Sequence, residues 1–442
     1  MRRTAEVLTL ASILLLTPLE VLAQGYGGPS LLSRGGNTPG RRGRAPIDFT
    51  YYAGIRGTYE SGLIAPTLDE SGQLHGNNLY GGQVELGAYG AKSTRRSSVG
   101  LDYRGDYRKT NKNISSFNGT NQALSLQYTF QPTRRMQIFA NETGGTTNRA
   151  FGGFSAPAFA DQQNLGVPLN EVYDSRVYFS QTTAGISYRT SARTEYVFSG
   201  TGFIVKRSSR SLIGMQGYEA SGGVFYSLSR SEKVGVRYEF IRFEFPRIYG
   251  GSDIHSADLY YERRLTRNMG MKVTAGGYVA NTVGTQKVEL SPEVAAILGR
   301  GTGVEAFDRT DWKPRIEATL DYTMQRSRLY AGYRSGANPG NGIYITTNQK
   351  NVNTGYSYTG FRRLSLGVSA GYTRYSSLGL QLGDFSTLQG GGGMNYRIIE
   401  HLDLSLQADR RKFSAPGVSG RSGTNISLGL TFTPASIPLS IW

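Results

Sequence analysis

Between Asp48 and Thr433 apolar and polar residues repeatedly alternate one by one, in runs of roughly ten. In residues 99–108 (VGLDYRGDYR), Val99, Leu101, Tyr103, Gly105 and Tyr107 share one parity. Asp102, Arg104, Asp106 and Arg108 share the other. An extended chain sends alternate side chains to opposite faces, so this segment carries one apolar, aromatic face and one ionised face. The pattern recurs. Phe49, Tyr51, Ala53, Ile55 and Tyr59 alternate with Thr50, Tyr52, Arg56 and Glu60. Leu124, Leu126, Tyr128 and Phe130 alternate with Ser125, Gln127 and Thr129, and Ile426, Leu428, Leu430 and Phe432 with Asn425, Ser427, Gly429 and Thr431.

A soluble sandwich turns its apolar faces inward and seldom has an ionised row along each strand. Outside the alternating segments there is no second apolar set from which to build a core. The opposite arrangement fits: apolar faces outward in hydrocarbon, ionised faces inward in water. A β-protein in lipid must pair every backbone polar group internally, and therefore closes on itself. Ten or so residues is also the length of a tilted strand crossing a bilayer.

The connections alternate as well. Short, mostly basic turns fall at 92–97, 131–134, 191–194, 229–232, 264–267, 325–327, 360–362 and 398–400. Longer loops fall between them, at 61–78, 110–120, 146–175, 208–216, 244–254, 281–311, 336–348, 375–385 and 412–422. Strict alternation of this kind predicts an all-β, antiparallel up-and-down barrel of about 18 strands with both ends on the short-turn side.

The pattern over 48–433 resembles that of bacterial outer-membrane β-barrels of the porin-like kind. In size and strand number it is also similar to barrels that export exopolysaccharide. The resemblance is one of pattern, not of catalytic motif. Such barrels end in an aromatic residue that the insertion machinery reads. Residues 425–432 (NISLGLTF) resemble that terminal strand, and Trp442 is the last residue, with Pro434 and Pro438 between them. Proline removes a ladder donor, which places the end of the last strand at Phe432. The resemblance implies outer-membrane lipid and lipopolysaccharide as surroundings, the barrel-assembly machinery as a partner, and a small hydrophilic solute or a polysaccharide as cargo.

The ends of the chain fit export. Arg2 and Arg3 precede an apolar stretch, residues 7–22, and residues 21–23 (VLA) resemble a small-residue cleavage site. Residues 1–23 read as a signal peptide. Residues 24–47 are rich in Gly and Arg, without periodicity, and read as a flexible periplasmic tail. Residues 48–433 form the expected barrel and 434–442 a C-terminal tail. The formal net charge of +17 would suit a nucleic-acid binder, but export argues against that partner. With no Cys and three scattered His, the sequence offers no disulfide framework and no convincing metal or acid–base cluster. No catalytic residue, cofactor or metal site is expected, and the chain does not read as an enzyme.

Eighteen strands enclose a lumen too wide for wall side chains to fill. Parity assigns it ten basic residues: Arg56, Arg104, Arg108, Arg189, Arg237, Lys272, Arg315, Arg334, Arg397 and Arg411. It assigns twelve acidic ones: Glu60, Glu85, Asp102, Asp106, Glu219, Glu239, Asp258, Glu262, Glu317, Asp321, Asp403 and Asp409. These charges either pair laterally between strands or line an ion-selective wall. The third long loop, 146–175, resembles the constricting loop of general porins by position and length. Arg149, Phe151, Phe154, Phe159, Asp161 and Glu171 are its constriction candidates, and its apolar residues need a surface to pack on. In loop 281–311, Ser291, Pro292 and Glu293 signal a short helix that either plugs the lumen or ties the loop down. Three functions follow: a passive or weakly selective channel for small hydrophilic solutes, a conduit for exported exopolysaccharide, or a non-transport adhesin or anchor acting through its loops.

Overall fold

The alternating segments form a closed antiparallel barrel of 18 strands. The computed structural model describes residues 48–62, 67–68, 74–75, 78–112, 118–147, 176–210, 212–340, 345–378, 383–415, 418–434 and 437–438. The expected signal peptide and tail, the body of loop 146–175 with all six constriction candidates, and Trp442 lie outside these residues.

In chain order the strands are β1 (Asp48–Ser61), β2 (Leu79–Ser93), β3 (Ser97–Thr110), β4 (Gly119–Thr133), β5 (Met136–Thr147) and β6 (Val177–Arg189). They continue with β7 (Thr194–Arg207), β8 (Met215–Ser227), β9 (Glu232–Glu244), β10 (Gly251–Thr266), β11 (Met269–Glu289) and β12 (Thr302–Thr323). The last six are β13 (Ser327–Asn338), β14 (Thr347–Tyr358), β15 (Leu364–Ser377), β16 (Phe385–Ile399), β17 (Leu402–Ala415) and β18 (Val418–Phe432). Each strand pairs with its sequence neighbours. β1 closes the ring on β18, with Ala53 opposite Phe432 and Tyr59 opposite Ile426. The last strand ends at Phe432, as the following proline requires. Beyond it Ile437 and Pro438 add two bridges to Phe49 and Asp48. Closure leaves no wall strand with a bare edge.

The barrel is inside-out. Along β3 the burial alternates, with Arg104, Asp106 and Arg108 buried while Tyr103 and Tyr107 are exposed. Ile55, Val84, Leu86, Leu126, Val236, Leu259, Val368 and Leu428 are likewise exposed on the outer face. Outward aromatic residues form two tiers. Tyr80, Tyr107, Tyr178, Tyr218 and Tyr372 stand near the loop ends of their strands. Tyr51, Tyr128, Tyr188, Tyr226, Tyr356 and Tyr396 stand near the turn ends. Tyr178 and Tyr188 lie on one strand, and their separation corresponds to roughly 25 Å along the membrane normal at the usual tilt, the height of an outer-membrane apolar band.

Glu142 breaks the rule. It shares the outward parity of Ile138 and Ala140 on β5 and sits opposite Leu126 of β4 and Thr182 of β6, between the two tiers. Its carboxylate accepts hydrogen bonds from Ser180 Oγ, at 2.8 Å, and from Thr182 Oγ1.

β11 and β12, of 21 and 22 residues, are much longer than their neighbours. Their pairing continues from Asn281–Thr310 to Glu289–Thr302. The long loop expected at 281–311 is therefore mostly a strand hairpin, closed by residues 290–301. Outside a membrane both faces of a hairpin meet water, so residues such as Val283, Thr285, Gln286 and Thr310 show no apolar/polar alternation to betray the strand. The expected helix is present as α1 (Pro292–Leu298). Ser291 precedes it without a side-chain capping bond, and Gly299 ends it in the left-handed region at φ 63°. Ile297 and Val304 are exposed there, so this hairpin tip is not a plug packed into the wall.

Candidate functional site

The inner wall carries the chemistry. Every charged residue that parity assigned to the lumen falls on the inner face of its strand. Arg56, Glu85, Arg104, Asp106, Arg108, Glu239, Arg315 and Asp403 are 2–6% exposed, and Glu60 and Asp258 are buried with them. Asp102, Arg189, Arg237, Lys272, Glu317, Asp321, Arg334, Arg397 and Asp409 are half-buried on the same face.

Most of these charges lie flat against adjacent strands. On β1–β3, Arg56 Nε meets Glu85 Oε1 at 2.7 Å, and Arg56 Nη1 donates to Gln407 Oε1 of β17 at 3.1 Å. Arg108 Nη2 meets Glu60 at 3.1 Å and donates to Thr58 Oγ1 at 3.0 Å. Arg104 Nε donates to Asp102 Oδ1 at 3.0 Å, and Asn121 Nδ2 donates to Asp106 Oδ1 at 2.9 Å. On the opposite wall Arg315 Nη1 meets Glu239 at 2.8 Å and Asp258 at 3.4 Å, while Arg237 Nη2 meets Asp258 at 3.3 Å. Nearer the turns, Lys233 Nζ meets Glu195 at 2.8 Å and Arg397 Nε meets Asp403 at 3.9 Å. Register places Glu262 opposite Lys272 and Glu317 opposite Arg334. Of the two roles open to the wall charges, lateral pairing is the arrangement these residues adopt. Low local dielectric strengthens such pairs, and unmatched members would be costly.

Near the loop ends of β6–β11 the inner face changes character. Val177, Phe179, Phe203, Val205, Met215, Ile241, Phe243, Ile254, Tyr278 and Ala280 are buried there in one apolar cluster with Phe245, Ile345 and Leu378. Phe203 and Phe243 meet edge to face with centroids 5.8 Å apart. The segment entering β14 reaches this cluster. Ile345 packs into it, Thr346 Oγ1 hydrogen-bonds Ser252 Oγ of β10, and Leu378 N donates to Thr346 O at 2.9 Å. Ile345 and Thr346, just ahead of β14, thus sit inward at the mouth. A sequence signal for this cluster exists. Val177 and Phe179, Phe203 and Val205, and Ile241, Phe243 and Phe245 continue, in apolar residues, the same parity that carries polar or charged residues such as Gln181, Thr201 and Glu239 nearer the middle of their strands.

Among the described residues no three His, Cys, Asp or Glu side chains are placed to hold a metal ion. His255 lies on the outer face, its Nδ1 2.7 Å from Tyr238 Oη, and His401 lies in a turn against Phe432.

No family model matches the chain, and no curated protein matches it. Solved structures do. The chain is similar to the outer membrane protein OpdK of Pseudomonas aeruginosa at 10% identity and a TM-score of 0.44, covering 88% of this chain and 99% of that one. It is similar to OccK2 (OpdF) of Pseudomonas aeruginosa at 9% identity and a TM-score of 0.45, covering 88% and 98%. A BenF-like porin from Pseudomonas fluorescens Pf-5 aligns at 9% identity and a TM-score of 0.45, covering 89% and 99%.

Proposed function

We propose that this chain is a bacterial outer-membrane channel, rather than an enzyme, through which small hydrophilic solutes pass by passive or weakly selective diffusion. The observation that carries the proposal is the polarity of the closed wall: exposed aliphatic and aromatic side chains outside, arginines and carboxylates inside. Only a barrel in a bilayer is stabilised by that distribution. Lateral pairing of the wall charges favours weak selectivity, since a paired wall presents little net field to a passing ion. It also favours small solutes over an anionic polymer, which would want unpaired cations along its whole path. Residues 1–23 serve as the export signal in this proposal, and the barrel-assembly machinery inserts the chain.

Conductance of the purified protein in planar bilayers tests it. The wild type conducts with weak ion preference. Replacing residues 149–171 with a short Gly/Ser linker raises the conductance several-fold, because the narrowest point dominates resistance. Strong anion selectivity at low salt would redirect the assignment to exopolysaccharide export. Silence of both proteins would remove transport and leave a barrel that acts through its loops.

A further inference from the structure

The loop ends of β14–β17 carry cations on the lipid-facing side of the wall. Lys350 of β14 and Arg374 of β15 are directly opposed and share the outward parity of Val352 and Tyr372. Arg410 and Lys412 of β17 continue the outward row of Leu406 and Ala408. All four are exposed. β16 lies between the two pairs, where Ser386 faces Arg374, Gly390 faces Arg410 and Leu388 faces both Lys412 and Tyr372. The floor between the cations is therefore low at Ser386 and Gly390, with Leu388 as an apolar step between them, level with Lys412 and Tyr372.

Like charges directly opposed on neighbouring strands destabilise a sheet. Among the described residues one carboxylate stands with these four cations: Asp384 Oδ2 accepts from Arg374 Nε at 2.8 Å. Arg410 and Lys412 have no ion-pair partner among the described residues. The rest of the loop-side rim differs. Lys109 and Lys206 stand singly on its outward face, and Arg242 is held between Glu244, at 3.0 Å, and Asp253, at 3.8 Å.

We propose that this patch binds the phosphorylated headgroup of a glycolipid in the outer leaflet. The proposal rests on the outer-membrane assignment above, which sets the loop ends of the strands at the level of the outer headgroups. Three strand spacings separate β14 from β17, about 14 Å, enough for cations to engage phosphates at both ends of a sugar headgroup. Arginine offers a planar fork to phosphate, and lysine a mobile point charge. Leu388 and Tyr372 then offer an apolar contact to the headgroup's sugar faces between the phosphates. A bound phosphate adds to Asp384 in offsetting the Lys350–Arg374 repulsion.

The test is the lipid retained by barrels extracted from native membrane in mild detergent, measured by native mass spectrometry. The wild type and the rim control K109Q/K206Q retain phosphorylated glycolipid, and K350Q/R374Q/R410Q/K412Q retains at most about a tenth as much. A second arm presents delipidated barrels with vesicles of phosphorylated glycolipid, phosphatidylglycerol or phosphatidylethanolamine, and the wild type prefers the first. Equal retention by the quadruple variant, or equal binding of phosphatidylglycerol and glycolipid, overturns the proposal. Heat-modifiable gel mobility and membrane fractionation of the same samples check the underlying assignment. Assembled, outer-membrane barrels without a lipid preference refute only the lipid site, whereas a chain absent from the outer membrane refutes both.

Discussion

Arg315 of β12 and Glu239 of β9 are joined by two hydrogen bonds, of 2.8 and 3.2 Å, although two strands separate them. The guanidinium crosses β11 at Gly276, which lies directly between Arg315 and Asp258 in the register. A Cβ on Gly276 would lie 2.0 Å from the Ala257 carbonyl oxygen and 2.6 Å from Asp258 Oδ1. The glycine therefore lets one arginine hold two buried carboxylates against the wall. Arg315→Ala takes both hydrogen bonds from the buried Glu239 and leaves Arg237 as the one cation facing the two carboxylates, which costs about 3 kcal/mol. The thermal unfolding midpoint of the assembled barrel should fall accordingly, and adding Glu239→Leu and Asp258→Leu should recover most of the loss. An unchanged midpoint for the single variant would mean that water replaces the guanidinium.

The facing of the wall predicts opposite outcomes for adjacent residues. Leu101→Arg and Leu126→Arg put a cation into hydrocarbon, at about 2–4 kcal/mol near the midplane, and should impair assembly. Gln127→Arg adds the same cation one residue away, toward the lumen, and should assemble normally. Glu142→Leu removes a carboxylate from the outer face and should assemble at least as well as the wild type. Heat-modifiable mobility scores all four, and indistinguishable behaviour of Leu126→Arg and Gln127→Arg would refute the assigned faces.

Ile345 and Thr346, packed at the mouth, should restrict current. Replacing residues 340–345 with two glycines removes Ile345 from the apolar cluster at the mouth and should raise single-channel conductance about twofold. Ser252→Ala removes the bond to Thr346 and should increase current fluctuation at a similar mean conductance. Unaltered traces for both variants would show that the mouth is not where resistance resides.

Acid should release a clamp on the loop side. Hydrogen bonds from Ser376 and then from Arg374 hold the Asp384 carboxyl below its usual range. A group whose folded value is depressed stabilises above its unfolded value, about 3.9, and loses that stabilisation as pH falls through the folded value. Hydrogen exchange of residues 383–384 should therefore be level from neutral pH to about 4 and rise, after correction for intrinsic rates, below it. Asp384→Asn should show the raised exchange at every pH.

Export should leave a mark at the N-terminus. Intact mass of protein recovered from the outer membrane should correspond to a chain beginning at Gln24. Retention of Met1 in membrane-inserted protein would contradict the role proposed for residues 1–23.

What the sequence alone determined was facing. Whether Leu101 meets lipid and Asp102 meets water is settled by parity and by the polarity of the two media, both properties of a few consecutive residues. Strand number and closure followed, because each crossing repeats the same local pattern and a bilayer forbids a bare edge. Only the tertiary structure decided partners. Arg315 finds Glu239 because the stagger of four strands and a missing side chain at Gly276 bring them together, and no local pattern encodes that stagger. The apolar mouth likewise depends on Ile345, distant in sequence, reaching β10 and β11. The extension of β11 and β12 beyond the membrane was illegible for a related reason. Once both faces of a strand meet the same solvent, the polarity contrast that makes a strand readable disappears.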